Sequence, residues 1–204
     1  MTTPEELKQY VRDVPDYPQK GIIFRDITPL LGEKKIFAEV VEMMSRSWVA
    51  NPPDLVAAIE ARGFIPGAAI AVKLGAGFVP IRKTGKLPWT TVMESYDLEY
   101  GTDSLEVHSD AVQPGQSVLI VDDVLATGGT ASAAVRLMRK LGAAVAGVQV
   151  LIELGYLEGR QRLNDVKLVS EIASNANSPP VSIPVAAPFI VMPRHHALMN
   201  SSGK

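Results

Sequence analysis

The segment from Ser117 to Thr130, which reads SVLIVDDVLATGGT, constrains this chain more than any other part of it. Its apolar run, Val118 to Val121, is long enough for a buried strand and too short for a helix. The run leads into two adjacent carboxylates, Asp122 and Asp123, and then into a small-residue loop that opens a helical pattern. A strand, an acid pair, a glycine loop and a helix start in this order predict a site for a phosphorylated sugar.

The loop of this segment has the residue types that an anion site needs. Gly128 and Gly129, which follow Ala126 and Thr127, let the backbone approach an anion closely because they have no Cβ. The first turn of the next helix offers unpaired N–H groups and the positive end of its dipole. Thr127 and Thr130 add hydroxyl donors. The two acids would repel a phosphate, so they are predicted to face ribose hydroxyls or a metal carried by the substrate.

This loop differs from the two common nucleotide-binding patterns. No Gly-Lys-Ser/Thr follows the glycines, which argues against a Walker A loop and against a kinase-like or phosphatase-like use of the acids. The acids precede the loop, whereas in a dinucleotide fingerprint the acid follows it by one strand. Glycine-threonine turns alone are common, but adjacent carboxylates beside an apolar strand cost stability, and such costs are expected at functional sites.

Composition places the chain among ordinary globular proteins of one domain. Its 204 residues are 47% hydrophobic and 21% charged, which is enough to bury a substantial core. A formal net charge of −2 argues against nucleic acid as a partner. The absence of cysteine excludes disulfides, thiol catalysis and zinc–thiolate sites.

Two further features bear on the compartment. The first residues, MTTPEE, are polar and acidic, unlike a signal peptide. No apolar run approaches the ~18 residues of a membrane span. We therefore expect a soluble, cytoplasmic protein without a membrane partner.

Strand and helix patterns alternate along the chain, which predicts an α/β fold with a largely parallel sheet. The predicted strands besides that of the central segment are Leu55–Ile59, Phe78–Ile81, Thr90–Tyr96, Leu105–Val107, Val145–Ile152 and Val166–Val169. The predicted helices begin at Lys34, cover Gly67–Leu74 and cover Thr130–Leu141. A capping box at Thr3 and Glu6 starts a short helix near the N-terminus.

The central segment resembles the phosphoribosyl-pyrophosphate (PRPP) motif of the type I phosphoribosyltransferases. The resemblance extends from about Val14 to Leu163 and is closest to the adenine phosphoribosyltransferases. It is carried by the segments VPDYPQKGIIFRDITPLL, ARGF, RKTGKLP and YDLEYG, which occur in the order of that family. It implies the type I phosphoribosyltransferase fold, a mostly parallel central sheet flanked by helices with a small purine-facing hood and a mobile catalytic loop.

The resemblance also implies a domain organisation and an activity. Residues 1–172 are expected to form a single domain, with the hood mainly in 1–33 and a C-terminal extension, 173–204, that is partly docked or flexible. Adenine would displace pyrophosphate at the anomeric carbon of PRPP to give AMP. Homodimerisation is implied by the resemblance alone.

The resemblance also implies which residues bind adenine and which form the pyrophosphate loop. Ile23, Phe24 and Arg25 would form the adenine site, with an apolar side chain on the flat ring and main-chain groups reading its edge. Arg62 and Gly63 would contact the pyrophosphate of PRPP, for which a guanidinium fork is suited. This chain has Ala61 where the family commonly has serine or threonine, so one side-chain hydrogen bond is expected to be lost.

The remaining catalytic assignments rest on the same resemblance. Arg82, Lys83 and Lys86 would bind pyrophosphate, partly across a dimer interface, with Arg82 also serving catalysis by stabilising the departing charge. Glu99 would exchange a proton with a ring nitrogen of the purine, and Tyr100 would close the lid.

Mg²⁺ is the one cofactor that the resemblance implies. It is expected to be carried by PRPP near Asp122 and Asp123, without direct protein ligands, because diphosphate oxygens and water satisfy its octahedron. The histidines lack the spacing of a metal site; His108 is predicted to be exposed at a strand end.

Several of these residues also have purely structural interpretations. Ile22 to Phe24 fits a plain core strand, and Arg25 with Asp26 fits a structural ion pair. Arg62, Glu99 and the cluster of Arg82, Lys83 and Lys86 fit solvated surface charges. Trp48 and Trp89 are predicted to be packing residues.

Two functional alternatives remain open from the sequence. A hypoxanthine-guanine or xanthine enzyme would usually place a lysine and aromatic residues late in the chain, and no clear match is present. A PRPP-sensing regulator without turnover would usually carry a DNA-binding domain or a basic RNA-binding face, and this chain has neither pattern.

Overall fold

The computed structural model describes residues 2–97 and 102–174. The helices are α1 (Pro4–Lys8), α2 (Thr28–Gly32), α3 (Lys34–Arg46), α4 (Phe64–Leu74) and α5 (Gly129–Lys140). The strands are β1 (Arg12–Pro15), β2 (Ile23–Asp26), β3 (Leu55–Ile59), β4 (Gly77–Lys83), β5 (Thr91–Asp97), β6 (Thr102–His108), β7 (Ser117–Leu125), β8 (Ala144–Leu154) and β9 (Leu168–Ser174). Two short 3-10 helices, Gly155–Leu157 and Gly159–Leu163, connect β8 to β9.

Seven of these strands form one mixed sheet with the order β5-β6-β4-β3-β7-β8-β9. The neighbours from β4 to β9 pair in parallel, whereas β6 and β5 continue the sheet in antiparallel orientation at one edge. The predicted α/β fold with a mostly parallel central sheet is therefore confirmed.

The centre of this sheet is β7, whose apolar residues pack on both faces. Val118 and Ile120 join the core covered by α5, and Leu119 and Val121 join the core covered by α3 and α4. Alternate residues of a strand point to opposite faces, so a continuous apolar run is what a strand covered on both sides requires. On the α4 side, a Cβ at Gly67 would lie 2.5 Å from the Cβ of Ala58, and the glycine lets the helix approach the sheet closely.

A second, two-stranded sheet stands apart from the main one. It is the antiparallel pair of β1 and β2, in which Asp13 lies opposite Arg25 and Val14 lies opposite Phe24. The helix α1 precedes it and starts with the predicted capping box, in which Thr3 and Glu6 bond each other's backbone amides. These elements fall within the residues predicted to form the hood.

Two predicted boundaries within the site are wrong. β7 does not end before the acids but runs to Leu125, because β8 keeps pairing along it, with Asp122 opposite Val150. Arg82 and Lys83 lie in β4 and not in a loop, because the antiparallel strand β6 extends the pairing to them. In both cases a neighbouring strand supplies hydrogen bonds that the local sequence does not reveal.

Two single-residue predictions are also corrected. His108 is at the end of β6 as predicted but is only partly exposed, and its Nε2 is buried without a hydrogen bond. Trp89 is 66% exposed and is not a packing residue. Trp48 is buried as predicted, and its indole Nε1 donates to Gln149 Oε1 at 2.8 Å.

None of the helices within residues 2–97 and 102–174 is long and apolar enough to cross a membrane. The predicted lid residues Glu99 and Tyr100, and the extension beyond Ser174, lie outside the described residues.

Candidate active site

The glycine loop lies between β7 and α5, where the sequence predicts the phosphate site. Gly128 has φ of +79°, a left-handed conformation that glycine adopts without strain, and α5 begins at the next residue. The free N–H groups of the first helical turn face a pocket of about 70 Å³. The pocket is lined by Asp122 and by residues Val124 to Ala131.

The backbone of a distant glycine supports this loop from behind. A Cβ on Gly159 would lie 2.1 Å from the carbonyl oxygen of Ala126 and 2.8 Å from the amide nitrogen of Gly128. A Cβ on Gly128 would lie 2.3 Å from the carbonyl oxygen of Gly159. Both positions therefore require glycine, because any side chain would push the two backbone segments apart.

The two acids of β7 lie in a desolvated environment. Burial, and secondarily the charge of Asp123, raises the pKa of the Asp122 carboxyl well above its usual range. Burial also raises the pKa of Asp123, although the charge of Arg62 opposes this effect. Arg62 Nε lies 2.8 Å from Asp123 Oδ2, an ion pair without the angle of a hydrogen bond. Asp123 is buried and Asp122 is half-buried, and the cation Arg62 pairs with Asp123, so the two acids favour a ligand that brings hydroxyl donors or positive charge.

The predicted pyrophosphate loop, which contains Arg62 and Gly63, lies beside Asp122 and Asp123. A Cβ on Gly63 would lie 2.9 Å from Asp122 Oδ1 and 2.6 Å from the carbonyl oxygen of Ile59, so this position also requires glycine. The peptide bond between Glu60 and Ala61 is cis.

The predicted adenine segment is connected to the acids through Arg62. The Arg62 guanidinium carbon lies 4.4 Å from the centroid of the Phe24 ring, and Arg62 Nη1 donates to the carbonyl oxygen of Arg25 at 3.1 Å. The edge of Tyr17 packs on the same phenyl ring, with centroids 5.2 Å apart. Ile23 is 43% exposed, so Ile22 to Phe24 is not a plain core strand.

Arg25 itself is part of a structural ion pair, but with a different partner than the sequence suggested. Its guanidinium pairs with Asp13 across the β1–β2 hairpin, and Nη2 lies 3.3 Å from Ser174 Oγ. Asp26 instead bonds the amide and hydroxyl of Thr28. The register of the hairpin decides this pairing, because it places Asp13 opposite Arg25.

The three predicted pyrophosphate cations are held by carboxylates, and Lys83 and Lys86 are at the same time exposed to solvent. Arg82 Nε donates to Glu60 Oε2 at 3.2 Å, and Lys86 pairs with the same carboxylate. Lys83 Nζ lies 2.9 Å from Asp103 Oδ2, which also accepts a hydrogen bond from the Tyr96 hydroxyl at 3.2 Å. The ion pair with Asp103 raises the pKa of Lys83, so this lysine carries its charge at neutral pH.

Many of these groups border one cleft of about 350 Å³, which is within the size range of small-molecule sites. The structure thus brings Arg62, the acids, Lys83 and the glycine loop together. Arg82, Lys86 and Phe24 do not line this cleft but contact residues that do, and Ile23 does not line it either. The cleft is lined by Ile59 to Arg62, Lys83, Tyr96, Asp103, Leu105, Asp122 to Val124, Ala126 and Thr130.

Sequence reasoning did not identify four residues of this region. Glu60, Asp103 and Glu106 bind groups of the basic segment, and Gly159 supports the glycine loop. The sequence feature that could have indicated Glu60 is its position directly before the recognisable ARGF segment. The other three lie in segments without a motif, and only the folded chain reveals their contacts.

No group of three or more histidine, cysteine, aspartate or glutamate side chains that could hold a metal ion is found within residues 2–97 and 102–174. The donor set at Asp122 and Asp123 nevertheless fits a magnesium ion that arrives with most of its ligands. Carboxylates are hard oxygen donors, and Asp123 Oδ2 is buried without a hydrogen-bond partner.

Comparison with known proteins decides the family. The phosphoribosyl transferase domain matches residues 27–185. This chain belongs to that family. Its relatives include the adenine phosphoribosyltransferase of Thermotoga maritima, which is 59% identical over 164 residues that cover 79% of this chain and 95% of that protein. The adenine phosphoribosyltransferase of Thermobifida fusca is 57% identical over 162 residues, covering 79% and 92%.

Solved structures of phosphoribosyltransferases have the same fold as this chain. The crystal structure of adenine phosphoribosyltransferase from Thermoanaerobacter pseudethanolicus matches with a TM-score of 0.82 and 50% identity, covering 84% of this chain and 100% of that one. The Saccharomyces cerevisiae enzyme, solved with an imino-altritol bisphosphate and adenine, matches with a TM-score of 0.78 and 34% identity, covering 83% and 98%. The type I phosphoribosyltransferase fold is therefore confirmed.

Proposed function

We propose that this protein is an adenine phosphoribosyltransferase of purine salvage, which converts adenine and PRPP to AMP and pyrophosphate. The observation that carries the proposal is the chain of contacts through Arg62, which joins the Phe24 ring to the Asp123 carboxylate. It supports the proposal because the segment that we assign to adenine is thereby linked to the acids that we assign to ribose. The identity of 59% to a curated adenine phosphoribosyltransferase supports the same reaction.

The proposed reaction is a displacement at the anomeric carbon. The bond from ribose C1 to the pyrophosphate oxygen breaks, a bond from C1 to a ring nitrogen of adenine forms, and the purine loses a proton. Asp122 and Asp123 hold the ribose hydroxyls, and Ala126 to Thr130 bind the 5′-phosphate. Ile23, Phe24 and Arg25 bind adenine. The transition state has oxocarbenium character, so a water-excluding cleft with nearby carboxylates favours it.

Pyrophosphate leaves toward the cations of the site. We assign Arg62, Gly63, Arg82, Lys83 and Lys86 to its binding, with Arg82 stabilising the charge that grows on the leaving oxygen. Mg²⁺ belongs to PRPP in this proposal, and it neutralises diphosphate charge when it is bound. Asp122 and Asp123 would lie nearest to it, because they are the acids of the cleft that no lysine holds.

We assign Glu99 as the group that exchanges a proton with the purine and Tyr100 as part of the lid. Replacing Glu99 with glutamine is expected to lower kcat by about 100-fold, the lower end of general acid–base effects. The KM for PRPP and the melting temperature should stay unchanged, because the amide keeps the size of the side chain. A kcat near that of the wild type would show that the proton moves through water and that Glu99 is a surface residue.

We propose a homodimer, supported by the outer face of α4. Ile65 and Val72 lie on one side of this helix, 44% and 84% exposed, and Phe78 of the adjacent strand β4 is 40% exposed. Apolar side chains at i and i+7 of one helix face are typical of a packed surface. The resemblance to the family implies a second copy of this chain as the occupant of this face.

Replacing Val72 with glutamate is expected to weaken the dimer by about tenfold or more, because a buried charge opposes association. Sedimentation velocity over a concentration series measures the dissociation constant. The matched control is Val49→Glu, a valine that is 57% exposed outside α4 and should leave the mass unchanged. A wild-type chain that sediments as a monomer throughout would contradict the dimer.

The reaction is tested by turnover of PRPP with adenine, hypoxanthine, guanine and xanthine in parallel, with and without Mg²⁺. Formation of AMP from adenine alone supports the proposal. Nucleotides from the oxopurines would reassign the purine while keeping the PRPP site. PRPP binding without any product would make the protein a PRPP sensor.

The proposal also includes a domain organisation and a cellular compartment. Residues 1–172 form a single domain with its hood mainly in 1–33, and 173–204 form a C-terminal extension. β9, which ends at Ser174, extends slightly past that boundary. The cytoplasm is the proposed compartment, in keeping with a chain that has no cysteine.

A further inference from the structure

The carboxylate of Glu60 pairs with the side chains of both Arg82 and Lys86. Glu60 follows β3 directly, and its Oε2 accepts hydrogen bonds from Arg82 Nε at 3.2 Å and from the backbone amide of Lys83 at 3.0 Å. Its Oε1 pairs with Lys86 Nζ and lies 3.4 Å from Arg82 Nη2. The two cations are therefore oriented by a single anion that belongs to the neighbouring strand.

The environment of Glu60 keeps this carboxylate charged. Its side chain is only 8% exposed, and burial by itself raises the pKa. Hydrogen bonds from Lys86, the Lys83 amide and Arg82 outweigh burial and lower the pKa to about 2. Glu60 is therefore a fixed negative charge at every pH at which the protein is expected to work.

The four cations of the site pair with three carboxylates, while a fourth acid, Glu106, binds backbone amides beside them. Lys83 is matched by Asp103 and Arg62 by Asp123, one carboxylate for each cation. Arg82 and Lys86 share Glu60, so these two cations have one ion-pair carboxylate between them. A polyanion such as diphosphate is the ligand that such a cluster attracts.

A second carboxylate, Glu106, fixes the backbone of the same segment. Its Oε1 accepts the amides of Lys86 at 3.0 Å and Leu87 at 3.1 Å, and the residue is 5% exposed. Glu60 thus orients the cationic side chains, whereas Glu106 fixes the turn that carries them. The two acids have separable roles, and only Glu60 contacts the cations themselves.

We infer that Glu60 is a positioning residue, which holds Arg82 and Lys86 in the orientation that receives the pyrophosphate group of PRPP. This role rests on the proposed function. It does not place Glu60 in contact with either substrate. Without the carboxylate, the two long side chains would repel each other and sample many rotamers, and each would have to be ordered when the diphosphate binds.

The test is Glu60→Gln in the full chain, which keeps the shape and an acceptor for the Lys83 amide but removes the charge. The KM for PRPP and the inhibition constant of pyrophosphate are both expected to rise about tenfold, the effect of disordering two side chains. The KM for adenine should change less than twofold. Glu60→Asp, which keeps the charge on a shorter side chain, should recover part of the loss and serves as the second variant if the glutamine protein does not fold.

The chain offers a matched control in Glu94. Its carboxylate is 12% exposed and pairs with one arginine and one lysine, Arg136 Nε at 2.6 Å and Lys140, on the helix α5. Glu94→Gln makes the same chemical change at a comparable ion cluster to which we assign no substrate contact. It is expected to leave both KM values unchanged.

Three results would overturn the role of Glu60. An equal rise of both KM values would indicate a general loss of structure, and unchanged values would show that the cations need no support. A lower KM for PRPP would show that Glu60 competes with diphosphate for Arg82 and Lys86. Wild-type protein is assayed alongside, and its failure to form AMP would overturn the proposed function itself, which is a different outcome.

Discussion

Replacing Asp122 with asparagine is expected to lower kcat/KM for PRPP by about 100-fold while it makes the fold more stable. The loss follows from weakening charge-assisted hydrogen bonds to ribose, each worth about 1.5–3 kcal/mol. The gain follows from burial, which raises the pKa of this carboxyl and makes its ionised form costly. Asparagine keeps the oxygen that accepts the Asp123 amide at 2.8 Å, so the local backbone should be preserved.

The stability gain is expected to be about 1 kcal/mol at neutral pH, or roughly 2–4 °C in melting temperature. Because the pKa of Asp122 is raised in the folded state, ionisation costs folding free energy above that folded-state pKa. The cost declines as pH falls through it and vanishes below about pH 4, where the unfolded chain is protonated too. Melting curves of both proteins across pH should therefore converge in acid and separate in mild alkali.

The control for this pair of measurements is Asp165→Asn. Asp165 is exposed, and its ion pair with Arg139 at 2.6 Å lowers the pKa of its carboxyl, the opposite direction to Asp122. This variant should keep full activity and gain no stability. If Asp122→Asn kept its kcat/KM for PRPP, Asp122 would not be a ribose ligand. A lower melting temperature in alkali would contradict the burial argument.

Replacing Gly159 with alanine is expected to lower kcat/KM for PRPP by about 100-fold although Gly159 has no proposed contact with a substrate. The added methyl carbon would lie 2.1 Å from the Ala126 carbonyl oxygen, so the phosphate loop must move. Small displacements of a positioning group can reduce rates by about that factor. Overpacking of this kind costs about 1–3 kcal/mol of stability, so the protein should still fold.

The distinguishing measurement for Gly159→Ala is the binding of each substrate separately. Calorimetry should show weaker binding of PRPP and unchanged binding of adenine, because we assign adenine to Ile23, Phe24 and Arg25 and not to this loop. Gln161→Ala, an exposed residue of the same 3-10 helix, should have no effect. Equal weakening of both substrates would mean that the substitution disturbs the whole domain.

The strand, loop and helix start around the predicted phosphate site could be predicted from sequence because the relevant physics is local. The strand, the acids, the loop and the helix start are contiguous, and an anion site at a helix N-terminus uses consecutive backbone amides. The largely parallel sheet also followed from the alternation of patterns along the chain, whereas the order of its strands did not. The end of β7 and the strand character of Arg82 and Lys83 did not follow, because neighbouring strands decide where pairing stops.

The amino-acid sequence by itself thus determined the fold class and the family resemblance, and it predicted the residue types of the proposed substrate sites. Only the tertiary structure decided which charges face each other. The ion pair of Glu60 and Arg82 joins residues that are 22 apart in the sequence. The hydrogen bond from Arg62 to the carbonyl oxygen of Arg25 joins residues that are 37 apart. Gly159 meets Gly128 only because β8 and its following turns return to the loop. Such contacts depend on strand order and register, so no local pattern in the sequence records them.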